Sequence, residues 1–320
     1  MTNTPRSCSQ CLGKLKAKLI FKKFTHDVNY GHAKCGKCGI TFDSNVNEMA
    51  ETVVTSAEDI TNLNETEYRE LFVETSQIAD DDGDIYTDFK WDDNDGVKAG
   101  VAEHVIRAIE SRHKDGIKRF ADVGCGSGFM SCEIAKKYPE ATVHAIDPSP
   151  QVQRLASVKG VEPHQGTLQT AGLEADSVEA LSIIGNWMLH MAPMDTLKEA
   201  QRVLRPGGTL ILDFKNVKSA TRVLAGWALR MGLDRFGGRG LLQRNFLNMR
   251  YGFTKKYVLR SLEEQGFKAI EIESKPPRLL EFSNKSHYQT GIKGLIWRTL
   301  DGWDAIRKEQ AWIQIVAEKK

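Results

Sequence analysis

Long apolar runs are what the sequence most plainly lacks. None reaches about 18 residues, so no membrane-spanning helix is expected. The first residues, MTNTPRSCSQC, have no apolar centre of a secretory leader, which makes a cytosolic location the default expectation. Net charge is small as well: 44 Lys and Arg against 42 Asp and Glu, a formal +2. A calcium loop is also missing, although ADDDGDIYTDFKWDDNDG invites one. With Gly83 at the sixth loop position, Ile78 and Phe89 fall at the first and twelfth, where carboxylates belong; with Gly96 there, Trp91 and Ala102 do. An EF-hand is thereby excluded.

The charge that is present is segregated. Residues 1–42 hold eight Lys and Arg against Asp27, a net +7. Residues 43–96 hold seventeen acids against Arg69 and Lys90, a net −15, and residues 215–256 hold ten bases against Asp234, a net +9. Such asymmetry points to distinct surfaces or partners.

The stretch that organises the chain is RFADVGCGSGFM, residues 119–130. An apolar run ends in Asp122, then in Gly124, Gly126 and Gly128, and MSCEIAKKY continues as a helix. Glycines let a ligand approach the backbone, and a helix start offers unpaired N–H groups to an anion. Phe129 stands where the dinucleotide fingerprint GxGxxG needs its third glycine, which argues against NAD. Beyond it, strand-like and helical segments alternate: TVHAID ending in Asp147, PSPQVQRLASV, VEPHQ, VEALSII, a helix over 194–204, then RPGG ahead of TLILDF, a helix over 254–265, AIEIES and WIQIVAEK. Alternation at this length predicts an α/β, doubly wound parallel sheet. A helix over 97–113 packs on it through Val97, Val101, Val105, Ala108 and Ile109, with His104 structural.

The motif DVGCGSG on a strand and before a helix resembles the first motif of class I S-adenosylmethionine (SAM) methyltransferases. The resemblance implies a seven-stranded Rossmann-like sheet closed by a reversed hairpin of the last two strands. It implies that Asp147 receives the ribose hydroxyls and that Gly124, Gly126 and Gly128 line the methionine end of SAM, with Asp122 near its ammonium group. Thr167 stands where an adenine-reading acid is common, and Leu168 is an alternative packing residue there. The loop Gly185-Asn186-Trp187-Met188-Leu189-His190 resembles the loop that faces the transferring methyl. Asn186 is expected at the cofactor and acceptor, and His190 is the candidate base, its alternative being a structural residue at a helix start. Trp187 walls the pocket or packs in the core.

Cys8, Cys11, Cys35 and Cys38 form two CxxC units, which in this context read as four thiolate ligands of one structural zinc ion before they read as disulfides. LIFKKF and VNYGHAKC between them, and GITF after, are candidate short strands of a zinc ribbon over 1–45, with His32 a surface residue. The acidic residues 46–96 form a connector whose Tyr68, Phe72, Tyr86, Phe89 and Trp91 are a possible lid. Residues 97–320 are the SAM domain, with acceptor-side insertions at 215–256 and 275–310; in the first, Val223, Leu224, Trp227 and Met231 share a helical face beside arginines.

A zinc ribbon ahead of a SAM domain resembles bacterial sugar and surface-polysaccharide methyltransferases, which implies a saccharide or a lipid- or nucleotide-linked glycan as acceptor. Arg235, Arg239 and Arg244 would then meet phosphates. Two competing readings remain open: an RNA methyltransferase gripping the backbone with ribbon and basic cap, disfavoured by the −15 segment, and a non-catalytic SAM- or zinc-dependent interaction module. A basic amphipathic helix in 215–256 also suits contact with an anionic membrane surface.

Overall fold

The fold was obtained as a computed structural model, which describes residues 15–22, 29–35, 41–43, 95–190, 192–230, 251–275 and 291–320. The connector aromatics, Arg235, Arg239, Arg244, Cys8, Cys11 and Cys38 lie outside the described residues.

Seven strands build the main sheet: β4 (Arg119–Val123), β5 (Thr142–Asp147), β6 (Val161–Gln165), β7 (Val178–Ile183), β8 (Leu204–Lys215), β10 (Phe267–Lys275) and β11 (Trp312–Lys319). Their order is β10-β11-β8-β7-β4-β5-β6. The first five run parallel, and β11 is antiparallel to both β8 and β10. The reversed hairpin implied by the family resemblance is therefore present.

Helices cover both faces. On one lie α1 (Asp95–Arg112), α2 (Phe129–Lys137) and a 3-10 helix over Pro150–Ser157, burying Val105, Ile109, Ile134 and Val152 against Phe120, Val143 and Ala180. On the other lie α3 (Pro193–Val203) and α5 (Lys255–Glu264), burying Leu197, Val203, Val258 and Leu262 against Ala121, Leu181 and Leu210. A strand buried on both faces reads as a continuous apolar run, as FADV and LILDF do. Phe120 is fully buried, and truncating it to Ala is expected to cost about 3–5 kcal/mol.

Two further helices, α4 (Ala220–Arg230) and α6 (Gly291–Arg307), follow the ends of β8 and β10. They stand at the same end of the sheet as the glycine loop, because β4, β7 and β8 are parallel. The N-terminal strands β1 (Leu15–Lys22), β2 (Asn29–Cys35) and β3 (Thr41–Asp43) form an antiparallel sheet. Strand β9 (Tyr251–Gly252) extends it by pairing Tyr251 with Phe42 and Gly252 with Thr41. The N-terminal segment thus joins the 215–256 insertion through a shared sheet.

PSPQVQRLASV forms the expected helix, of the 3-10 type, started by Pro150 and by Ser149 Oγ accepting from the Gln151 N–H. One expectation is corrected. RPGG does not precede the strand. It lies inside β8 as a wide irregularity, Val178 pairing with Leu204 and Ala180 with Thr209, with Gly207 at a φ of 74°.

Candidate cofactor and active site

The strand order reverses at β4: β5 and β6 continue to one side, β7 and β8 to the other. The crevice beyond the carboxyl ends of the strands at such a point is where open α/β sheets bind ligands. Here the glycine loop after β4 meets the loop after β7.

The three glycines share a left-handed backbone and differ in what surrounds them. Gly124, Gly126 and Gly128 have φ of 71°, 55° and 79°, a region costly to other residues. A Cβ on Gly124 would collide with the Asn186 side chain, and one on Gly128 with Leu155. A Cβ on Gly126 would meet nothing within 4 Å. Gly126 therefore faces open space, and Gly128 begins α2 with no side-chain cap, leaving the helix N-terminus available to an anion.

Asp147, buried at the end of β5, holds the loop from the side. Its Oδ2 accepts the Gly126 N–H at 2.8 Å and its Oδ1 the Ser149 N–H at 2.8 Å. Each carboxylate oxygen keeps a further lone pair for a ligand hydroxyl. Burial pushes its pKa up to about 6.

Asp122 sits beneath the loop rather than facing it. Its Oδ2 accepts from Ser131 Oγ at 2.7 Å and its Oδ1 from Ser182 Oγ at 2.9 Å. Burial raises its pKa, and the two hydroxyl bonds oppose that rise. Ser182 is its register partner on β7 and Ser131 lies in the first turns of α2, so the acid ties β4, β7 and α2 together. Sequence reasoning missed both serines; the nine-residue offset from Asp122 to Ser131, across a strand-loop-helix unit, was the available signal.

Asn186 is the second link. Its Nδ2 donates to the Val123 and Gly124 carbonyls at 2.9 and 2.8 Å, with the Ile184 carbonyl at 3.2 Å. Its Oδ1 must then accept, and His190 Nε2 lies 2.9 Å away as the donor. That fixes the tautomer and leaves His190 Nδ1 as an acceptor, which faces Thr196 Oγ1 at 3.1 Å. Burial lowers the His190 pKa to about 4, so the ring is neutral at physiological pH with both nitrogens engaged. Such a histidine orients Asn186; to act as a base it must first give up the Thr196 bond.

Thr167 follows β6 by two residues and lies in a turn closed by Thr170, whose Oγ1 accepts the Thr167 N–H at 2.9 Å and stands 3.4 Å from its hydroxyl. Leu168 is buried in the core, so it packs under the loop. Trp187 is fully buried and stacked on Phe253 at 4.3 Å, which makes it a core residue. His104 is buried too, with its pKa lowered to about 4, first by burial. Of the predicted zinc ligands only the backbone of Cys35 is described, at the end of β2. Cys125 and Cys132 are free thiols, and burial raises the pKa of both.

Residues 121–212 match the family described as Methyltransferase domain. A malonyl-[acyl-carrier protein] O-methyltransferase of Halalkalibacterium halodurans is 26% identical over 129 residues, 37% of this chain and 47% of that protein. A trans-aconitate 2-methyltransferase of Mycobacterium marinum is 33% identical over 76 residues, 24% of this chain and 28% of that one. The chain thus spans less than half the length of these curated relatives. A solved SAM-dependent methyltransferase from Archaeoglobus fulgidus is 15% identical, with coverage of 74% of this chain and 100% of that one and a TM-score of 0.48. From Ala121 to Leu212 the chain thus matches a methyltransferase domain, and the seven-stranded, mostly parallel sheet built around that stretch is a Rossmann-like methyltransferase fold.

Proposed function

We propose that the protein is an enzyme that transfers a methyl group from SAM to an oxygen acceptor. The observation that carries this reading is the open glycine loop, with Gly126 facing free space and tied to the Asp147 carboxylate at the switch point of the sheet. SAM would supply an electrophilic methyl on a sulfonium. Asp147 would accept the ribose hydroxyls, and the N–H groups at the start of α2 would face the methionine carboxylate. Asp122 would act by holding that loop in shape, and the Thr167 turn would lie near the base. Asn186 would fix the floor between cofactor and acceptor, since methyl transfer requires an aligned, close approach.

The acceptor reading rests on the helices past β8. Lys218, Ala220, Val223, Leu224, Trp227 and Arg307 line an open groove of about 620 Å³. Val223 and Trp227 are more than half exposed, as are Leu295, Trp303 and Ile306 on α6. An apolar wall with a lysine and an arginine suits a lipid- or nucleotide-linked glycan, or an anionic membrane surface carrying one. No helix among the described residues is long and apolar enough to cross a membrane.

A carboxylate acceptor is the second reading, and His190 favours it. A hydroxyl must lose a proton, whereas a carboxylate has none to lose, and both His190 nitrogens are already engaged. The chain also resembles a trans-aconitate methyltransferase over 76 residues.

The CxxC pairs would hold a structural zinc ion through Cys8, Cys11, Cys35 and Cys38. The antiparallel β1–β2–β3 backbone with Cys35 at a strand end supports a ribbon.

Calorimetric titration with SAM, followed by mass analysis of products from glycan, carboxylic acid and RNA panels, tests the proposal. No SAM binding by the wild type refutes it, and the panel that gains a methyl selects the acceptor.

A further inference from the structure

We propose that His144, Glu162 and His164 form a metal site of the zinc class at the free edge of the large sheet. His144 of β5 pairs in register with Glu162 of β6, and His164 lies two residues further along. Alternation along the strands puts all three side chains on one face. β6 is the edge strand, and the crossover from it to β7 contributes no helix, so the cluster opens to solvent on one side. His144 is nearly buried, His164 half-buried and Glu162 exposed.

The geometry is that of ligands around one ion. His144 Nδ1 lies 3.1 Å from His164 Nε2 and 3.3 Å from a Glu162 carboxylate oxygen. One ligand atom from each residue falls within 4.8 Å of the others. Two ligands each roughly 2.05 Å from a tetrahedral zinc ion stand about 3.3 Å apart. Two imidazoles and a carboxylate, with the solvent side free for water, make the composition of open three-ligand zinc sites. Burial lowers the pKa of both histidines, which keeps them in the neutral form that binds metal. Without an ion, the two rings have one N–H···N bond to share and Glu162 faces an uncharged ring.

The ion would clip the edge strand to its neighbour just below the cofactor loop. His144 precedes Asp147 by three residues, and Gly166, two residues past His164, donates its N–H to the Asp147 carbonyl at 2.9 Å. The three ligands lie apart from the four cysteines in sequence and do not touch the methyl-transfer machinery.

The test uses the full chain. Protein stripped by a chelator is titrated with Zn²⁺, and bound zinc is counted after desalting, for the wild type, the His144→Ala/His164→Ala double variant and the single variants His164→Gln and Glu162→Gln. The double variant is expected to bind one zinc ion fewer than the wild type while keeping any held by cysteine. Circular dichroism in EDTA verifies that the variants fold. A wild-type sample, observed through the nitrogen resonances of its histidine rings, gives an answer that no variant is needed for: two rings should shift together as zinc is added. Equal zinc counts, or ring signals that zinc leaves unmoved, would overturn the proposal and leave a histidine pair only.

Discussion

The sharpest test of the loop geometry is Gly124→Ala. Gly124 has a φ of 71°, and forcing alanine there costs about 1–2 kcal/mol of backbone strain. The new methyl group would also occupy the place of the Asn186 amide, which must leave. Asn186 then loses its bonds to the Val123 and Gly124 carbonyls, about 1 kcal/mol each. The total loss is roughly 3–4 kcal/mol, a large share of the ~5–15 kcal/mol that holds an ordinary domain together. Asn186→Ala alone removes the same two bonds, about 2 kcal/mol, together with the His190 contact, which the amide displaced in Gly124→Ala gives up as well. In that background the obstacle is gone, so adding Gly124→Ala costs only the strain. The double variant should therefore unfold in urea at about the same point as Gly124→Ala by itself, a coupling of about 2 kcal/mol. Strictly additive losses would show that the two residues do not compete for one space and would sink the reasoning.

Gly126→Ala provides the contrast: a Cβ there meets nothing within 4 Å, so stability should fall by only the strain of about 1–2 kcal/mol while calorimetry shows SAM binding lost. Asp147→Ala removes a charged acceptor worth about 1.5–3 kcal/mol for each hydrogen bond, and SAM affinity should drop by at least about tenfold. The Asp147 carboxyl has its pKa raised to about 6, so SAM affinity of the wild type should hold level above that pH and weaken below it, as the carboxylate gains a proton and loses an acceptor. His190 has its pKa depressed from 6.5 to about 4, so its neutral form contributes stability that is complete above about 6.5 and is lost as pH falls towards 4. His190→Gln should accordingly flatten that acid limb in thermal melts; an unchanged limb would show that the histidine is not held neutral. Trp227→Ala should raise the acceptor KM and leave SAM affinity alone, since Trp227 is more than half exposed in the groove.

The sheet was legible because its central strands are buried on both faces. Phe120–Val123 and Leu210–Phe214 read as apolar runs broken only by one acid each, and runs of that length between helical segments leave few alternatives. The reversed hairpin was not in the pattern: AIEIES and WIQIVAEK look the same whether they pair parallel or antiparallel, and only the family resemblance supplied the direction. RPGG misled because glycine and proline mark turns in most settings, whereas here they bulge a strand whose neighbour holds it on both sides. At the site, residue types announced the loop but not the direction each side chain takes. Asp122 and Asp147 look alike in sequence. In the structure one binds two serine hydroxyls under the loop and the other binds two backbone amides beside it. That difference depends on Ser131 and Ser182, which are nine and sixty residues from Asp122 in no particular motif.

The same directional information changes what His190 can do. As a residue type it suits general base chemistry, and its place after β7 suits a methyl acceptor. The structure spends its two nitrogens on Asn186 and Thr196. Asn186 in turn spends its amide on the carbonyls that begin the glycine loop. A continuous chain of hydrogen bonds therefore runs from the start of α3, where Thr196 lies, through His190 and Asn186, to the cofactor loop. Asp122 ties the same loop to β7 and α2 from below, and Asp147 ties it to the 3-10 helix from the side. Three polar residues thus fix one loop from three directions. Preorganisation of this kind favours a reaction whose main demand is alignment, which is the demand of a methyl displacement from a sulfonium. The acceptor's proton, where it has one, then requires either release of the Thr196 bond or an acceptor that carries none.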